Sequence, residues 1–201
     1  MSTSRAQIVA TIGPSSEGEE IISQMIDAGV DVIRFNLSWA DLDTHLKHMD
    51  TILKVSRQLG RKVPILLDLP GPRIQTGSTH TYDKEKDVSI TEKDEEFIKF
   101  GVENVVEYFA LSFVDSAKDV IKCREIIQKY GGSQKIIAKI ERKVAVEKID
   151  EIISEADGVM VARGDLGEEV PLEEIPFIQE EIIKKAKMLN KPVIVDNQML
   201  I

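Results

Sequence analysis

Residues 160–171 read MVARGDLGEEVP. A run of apolar and small residues ends on Arg163, Gly164 and Asp165, and the chain then turns into acid. A turn needs only the glycine, so the carboxylate is either a helix cap or a ligand. Upstream, KIIAKIE (135–141) ends in Lys139 and Glu141, and VDVIRFNLS (30–38) ends in Arg34, Asn36 and Ser38. On an extended strand, residues two apart face the same side, so each of these sets points one way. VPILLDL (63–69) contributes Asp68 and Leu69. Two carboxylates ending consecutive strands, Glu141 and Asp165, suit Mg²⁺, a hard cation that takes one or two carboxylates and keeps waters. Lys139 beside them offers positive charge to a phosphoryl group or an enolate. Alone, a Lys-x-Glu is most often a salt-bridged pair, and an Asp before a helix most often an N-cap. Their coincidence at strand ends on one rim, facing an Arg and an Asn/Ser pair, favours a functional site.

The elements that would position these residues alternate. Seven apolar, β-branched runs read as strands: 7–13, 30–38, 63–69, 106–114, 135–141, 157–164 and 191–197. They are nearly continuous rather than alternating, as in parallel strands covered on both faces. Amphipathic stretches at 16–28, 40–59, 92–103, 116–130, 142–155 and 172–189 read as helices. Thr91 with Asp94, and Asp115-Ser116, supply N-terminal signals. Gly29, Gly60 and Gly131-Gly132 stand where helices should stop. The pattern predicts an α/β fold, a TIM-barrel-like (β/α) arrangement of parallel strands truncated to about seven. In such folds chemistry gathers at the C-terminal strand ends. One domain over 1–201 is expected, with the polar, aperiodic stretch 77–91 a short loop inside it.

With 42% hydrophobic residues in 201, the chain can bury one core. Its 26 basic and 35 acidic residues give −9, which argues against nucleic acid as a partner. Cys123 is the only cysteine, so no internal disulfide forms, and a reducing, cytoplasmic setting is expected. Cys123 itself reads as a buried or half-buried helix residue, and His45 and His48 as core or surface residues of the second helix. No stretch has the ~20 apolar residues of a membrane span, and the first residues lack a secretory pattern.

In order along the chain, QIVATIGPSS, GVDVIRFNLS, LLDLPGPRIQTG, ITEKDEEFIKFGVENVVEYFALSFV, KIIAKIE, GVMVARGDLGEEVP and KPVIVDNQML are similar to segments of the pyruvate kinase barrel domain. The resemblance implies phosphoryl transfer from phosphoenolpyruvate to ADP with Mg²⁺. It implies that Glu141 and Asp165 hold the metal and that Lys139 stabilises the transferring phosphoryl group. Arg34 would contact phosphate, and the Gly164 and Asp165 amides would receive the substrate carboxylate. Asn36, Ser38, Asp68 and the Leu69 carbonyl would form a monovalent-cation (K⁺) site. Asn197 stands where the family has a Thr that helps place the substrate.

Several positions depart from the family. The lid domain that follows the third strand is replaced by 77–91, and the eighth strand and C-terminal domain are absent. Pro70, Arg73 and Gln75 replace a Lys, a Glu and a phosphate-binding Arg, and Trp39 replaces a His. A basic residue at the Arg73 position goes with potassium independence. The half that handles Mg²⁺ and the oxo acid is kept, while the half that grips ADP/ATP is altered. Three readings follow: a minimal phosphotransferase with reduced or lost activity, a Mg²⁺-dependent oxo-acid enolate lyase, and a non-catalytic metabolite- or partner-binding remnant. Open edges on the first and last strands predict a homo-oligomer or heteromer, and the abrupt end at Ile201 also fits a piece of a longer chain.

Overall fold

The computed structural model describes residues 6–76, 79–83, 88–104 and 106–196. In chain order its strands are β1 (Val9–Thr11), β2 (Val32–Asn36), β3 (Ile65–Asp68), β4 (Arg73–Thr76), β5 (Thr79–Tyr82), β6 (Tyr108–Leu111), β7 (Lys135–Ile140), β8 (Gly158–Ala162) and β9 (Val193–Asp196). Seven of them form one parallel sheet in the order β1-β2-β3-β6-β7-β8-β9, and β4 and β5 pair separately as an antiparallel hairpin. The helices are α1 (Glu19–Ala28), α2 (Leu42–Gln58), α3 (Glu92–Glu103), α4 (Ala117–Lys129), α5 (Lys143–Glu147), α6 (Ile149–Glu155), α7 (Arg163–Leu166) and α8 (Ile175–Met188). Each expected strand is present, and the sheet curls into a nearly closed barrel. Arg34 on β2 reaches Asp196 on β9.

Local chemistry sets the boundaries. Thr91 and Asp94 form a reciprocal capping box on α3, and Ser116 and Asp119 do the same on α4. Asp94 does more than cap: its second oxygen accepts the Gly71 N–H at 3.0 Å, tying α3 to the loop after β3. Gly29 closes α1 in the left-handed region, at φ 112°.

The strand period of two sorts the core into two bodies. The larger one lies between sheet and helices and includes Ile33, Leu67, Ile136, Ala138 and Val159 with Ile22, Ile52, Ile98, Ile127 and Ile152. The smaller one joins Leu66, Ala110, Ile137 and Met160, with Val32, Tyr108 and Ile194 packed against it. These take the alternate strand positions, so they fill the barrel interior as one apolar layer. Two residues further along each strand, still facing inward, stand Arg34, Asp68, Ser112, Lys139, Ala162 and Asp196. The apolar layer is the floor on which a charged layer sits.

Three sequence expectations differ in detail. The β8 strand stops at Ala162, so Arg163, Gly164 and Asp165 form the short helix α7 rather than a strand end. The single helix expected over 142–155 is two, α5 and α6, meeting at Lys148 (φ −108°). The stretch 77–91 holds β5, which pairs back on β4. Polar residues hide that hairpin from a hydrophobic pattern. Cys123 is fully buried on α4, as expected. His45 is buried against Phe35, with ring centroids 5.5 Å apart. No helix among the described residues is long and apolar enough to cross a membrane.

Candidate active site

The charged layer converges on Lys139. Its Nζ lies 2.7 Å from Glu141 Oε1, 3.2 Å from Asp68 Oδ1 and 2.9 Å from Ser112 Oγ. All four side chains are buried. Ser112 donates its hydroxyl proton to the Leu69 carbonyl at 2.6 Å, which turns a lone pair toward the ammonium. Glu141 Oε2 accepts the Phe113 N–H at 2.7 Å, while Oε1 is near Lys139 but receives no aligned hydrogen bond. Arg34 donates to Asp68 Oδ2 through Nε (2.8 Å) and Nη2 (2.6 Å), and its Nη1 reaches Asp196 Oδ1 at 3.2 Å.

Charges this deep stay ionised only because they are paired. Burial alone would depress Lys139, but Asp68 and Glu141 raise it above the ordinary lysine value. Burial opposes ionisation of Asp68, yet Lys139 and Arg34 hold it below the usual carboxylate range. Glu141 goes the other way: burial pushes it up, Lys139 resists, and the charge of Asp165 adds to the push. Glu141 is therefore the member of this group that is short of positive charge.

That shortage tests whether a divalent cation fits. Arg34 and Lys139 supply two positive charges against the four negative charges of Asp68, Asp196, Glu141 and Asp165, and Arg142 on the cavity wall is taken up by Asp115 and Glu169. Glu141 and Asp165 wall the same small cavity of about 30 Å³, room for roughly one water-sized body. The donor set is two carboxylates with space for water, which suits Mg²⁺. Among the described residues no group of three His, Cys, Asp or Glu side chains gathers as a metal cluster. Mg²⁺ does not need one.

The other expected residues fall as follows. Gly164 and Asp165 lie in α7, directly after β8, whose neighbour in the sheet is β7. Asn36 Oδ1 accepts the Ser38 N–H at 3.0 Å. The Leu69 carbonyl holds Ser112, and Asp68 holds Arg34 and Lys139. Three members of the expected monovalent set thus have protein partners, while Ser38 Oγ is buried without a hydrogen bond. Ser38 also borders an open cleft of about 690 Å³ with Gly71, Arg73, Thr91 and Lys93. Asn197 lies outside the described residues. Trp39 is 51% exposed at the rim.

Sequence reasoning missed Ser112 and Phe113. Both lie near the end of the strand expected over 106–114, where a serine and a phenylalanine carry no charge to mark them. Phe113 is one of three non-glycine residues with positive φ among those described, at 54°. Such a backbone is strained for a bulky side chain, and here it aims the amide at Glu141.

Comparisons with known proteins identify the family. The family model described as pyruvate kinase, barrel domain, matches residues 3–90 and 85–201. The chain is 34% identical to the pyruvate kinase of Thermotoga maritima, covering 96% of this chain and 59% of that protein. It is 34% identical to the pyruvate kinase of Sporosarcina psychrophila (98% and 48%) and 32% identical to that of Thermococcus litoralis (98% and 58%). The chain spans about half to three-fifths of the length of these relatives. The alignment with the Thermotoga protein runs over 274 positions, more than the 201 residues here, so the relative carries inserted sequence that this chain lacks. The two matched pieces of the family model meet at 85–90, next to the β4–β5 hairpin.

Proposed function

The chain belongs to the pyruvate kinase family, and from its buried charged layer we propose that it transfers the phosphoryl group of phosphoenolpyruvate to ADP, at a reduced rate. The observation that carries this reading is the Lys139 ammonium, held within 3.2 Å of Asp68 and 2.7 Å of Glu141 at the open end of the barrel. Phosphoryl transfer asks a protein mainly for positioning and for neutralisation of spread negative charge. Lys139 and Arg34 are the two fixed cations of the layer. Arg34 is locked by Asp68 and Asp196, so it meets an incoming phosphoryl group without reorganising.

Glu141 and Asp165 would hold Mg²⁺, which when bound screens negative charge on the substrate. In the reaction the bond from phosphorus to the enol oxygen breaks, and a bond to a β-phosphate oxygen of ADP forms. The enolate left behind takes a proton at carbon and becomes pyruvate. The Gly164 and Asp165 amides would face the substrate carboxylate. The nucleotide would take the 690 Å³ cleft beside Ser38, which has the size for it and carries Arg73 and Lys93 together with Glu92 on its wall. Family relatives carry an inserted segment that this chain lacks, and that loss of enclosure is the reason for a slow rate.

A coupled assay of pyruvate formation with phosphoenolpyruvate, ADP and Mg²⁺ tests the proposal. Wild type is expected to form pyruvate, and Lys139→Met to lose roughly 100-fold or more, the scale of removing one transition-state charge partner. No pyruvate from wild type at high enzyme concentration, or equal rates in both proteins, would overturn it.

A further inference from the structure

We infer that Tyr82, at the tip-distal end of the β4–β5 hairpin, is a positioning residue for the Glu141 carboxylate. The inference rests on the metal-binding reading of Glu141 and Asp165. Three observations carry it.

First, Glu141 is held by Lys139 on Oε1 and by Phe113, whose amide donates to Oε2 at 2.7 Å, and Arg142 follows it directly in the chain. Second, Tyr82 touches both Phe113 and Arg142. Its ring lies 3.9 Å from the Arg142 guanidinium and 5.3 Å from the Phe113 ring. Arg142 is also held by Asp115 and by Glu169, the latter at 3.3 Å, so Tyr82 packs on a fixed guanidinium. Third, the hairpin register puts Arg73 directly opposite Tyr82, and Arg73 packs on the same Phe113 ring at 5.6 Å. One cross-strand pair thus grips Phe113, whose left-handed backbone has little tolerance for shifts.

Gly71 adds a close approach: a Cβ there would lie 2.9 Å from the Phe113 ring, so backbone packs tightly against that ring. Tyr82, Phe113 and Arg142 wall the small cavity shared by Glu141 and Asp165. A stacked aromatic on a guanidinium is a stiff, directional contact. Partners behind a metal ligand set its orientation and change metal affinity 10- to 100-fold when removed. In this chain a short hairpin supplies that support.

The test uses two readouts on the intact chain, with Tyr82→Ala and Tyr82→Phe. Hydrogen exchange of the Phe113 amide needs no metal and reports the clamp itself. Mn²⁺ binding, followed by electron paramagnetic resonance, reports the carboxylate pair, with Glu141→Ala as control. The expected result is exchange and Mn²⁺ dissociation constants about tenfold higher in Tyr82→Ala, and within about twofold of wild type in Tyr82→Phe, which keeps the ring. Unchanged Phe113 exchange in Tyr82→Ala overturns the inference whatever the metal does. Altered exchange with unchanged Mn²⁺ affinity also overturns it, because the hairpin would then support only the backbone. Wild type that binds Mn²⁺ no better than Glu141→Ala sinks the metal reading of the site, and the inference with it.

Discussion

Arg34 Nη1 lies 3.2 Å from Asp196 Oδ1, although the two residues stand on the second and the last strand of the seven-stranded sheet. The same guanidinium grips Asp68 on the adjacent strand β3. One side chain therefore spans the seam where the curled sheet nearly meets itself, and also holds the counter-charge of Lys139. Barrel closure and site electrostatics share a residue.

That sharing predicts unequal effects at the seam. Asp68 is 1% exposed and loses its main lock in Arg34→Met, so this variant should cost about 3–5 kcal/mol. Asp196 has a side chain 24% exposed, and Asp196→Asn should cost at most about 1 kcal/mol. Urea unfolding of the two variants and the double mutant measures both. The acid limb should move as well. Asp68 sits below its ordinary 3.8 in the fold, so it contributes stability above that value, lost as pH falls through its folded pKa. Arg34→Met shrinks that window and should flatten the acid side of the stability curve.

A second pH effect belongs to His45. Burial lowers its pKa below 6.5, against the opposing hydrogen bond from Nε2 to the Trp39 carbonyl at 2.7 Å. The unfolded chain then binds the proton more readily than the fold. Stability from His45 is complete above 6.5 and drains away as pH falls, at no more than about 1.4 kcal/mol per pH unit. Unfolding free energies at neutral and mildly acidic pH should show a shallower decline in His45→Gln than in wild type. Equal slopes would contradict this.

Gly101 tests the packing of α3 on the sheet. A Cβ at this position would lie 2.5 Å from Phe109 Cζ and 2.9 Å from Leu67 Cδ1. Helix propensity alone favours Gly101→Ala by up to about 1 kcal/mol. Overpacking should outweigh it and leave a net loss of about 1–3 kcal/mol. Adding Phe109→Leu, which vacates the contact, should recover part of the loss in thermal unfolding.

How far the sequence carries the reader depends on what kind of signal each residue sends. The seven sheet strands were legible because both faces are buried and the runs are almost unbroken, as in VPILLDL and KIIAKIE. The pairing of Lys139 with Glu141 followed from the two-residue period. Arg34 and Asp68 were legible as strand-end charges, and Asp165 as a carboxylate just past a strand, though it stands in α7. The contact of Arg34 with Asp196 was not, because it depends on how far the sheet curls. The β4–β5 hairpin was missed because Thr79, Thr81 and their neighbours carry no hydrophobic period. Ser112 and Phe113 were overlooked for a different reason: a serine and a phenylalanine after a strand look like packing. Only the three-dimensional structure shows a hydroxyl under Lys139 and a left-handed amide under Glu141.

The most direct test of the site is calorimetric titration with oxalate, an enolate mimic, in the presence of Mg²⁺. Wild type and Glu141→Ala are compared, each with and without ADP. The account predicts oxalate binding to wild type that strengthens with ADP and is lost in Glu141→Ala. Oxalate binding that ignores ADP would contradict the phosphotransferase reading, and no Mg²⁺-dependent oxalate binding at all would contradict the site itself.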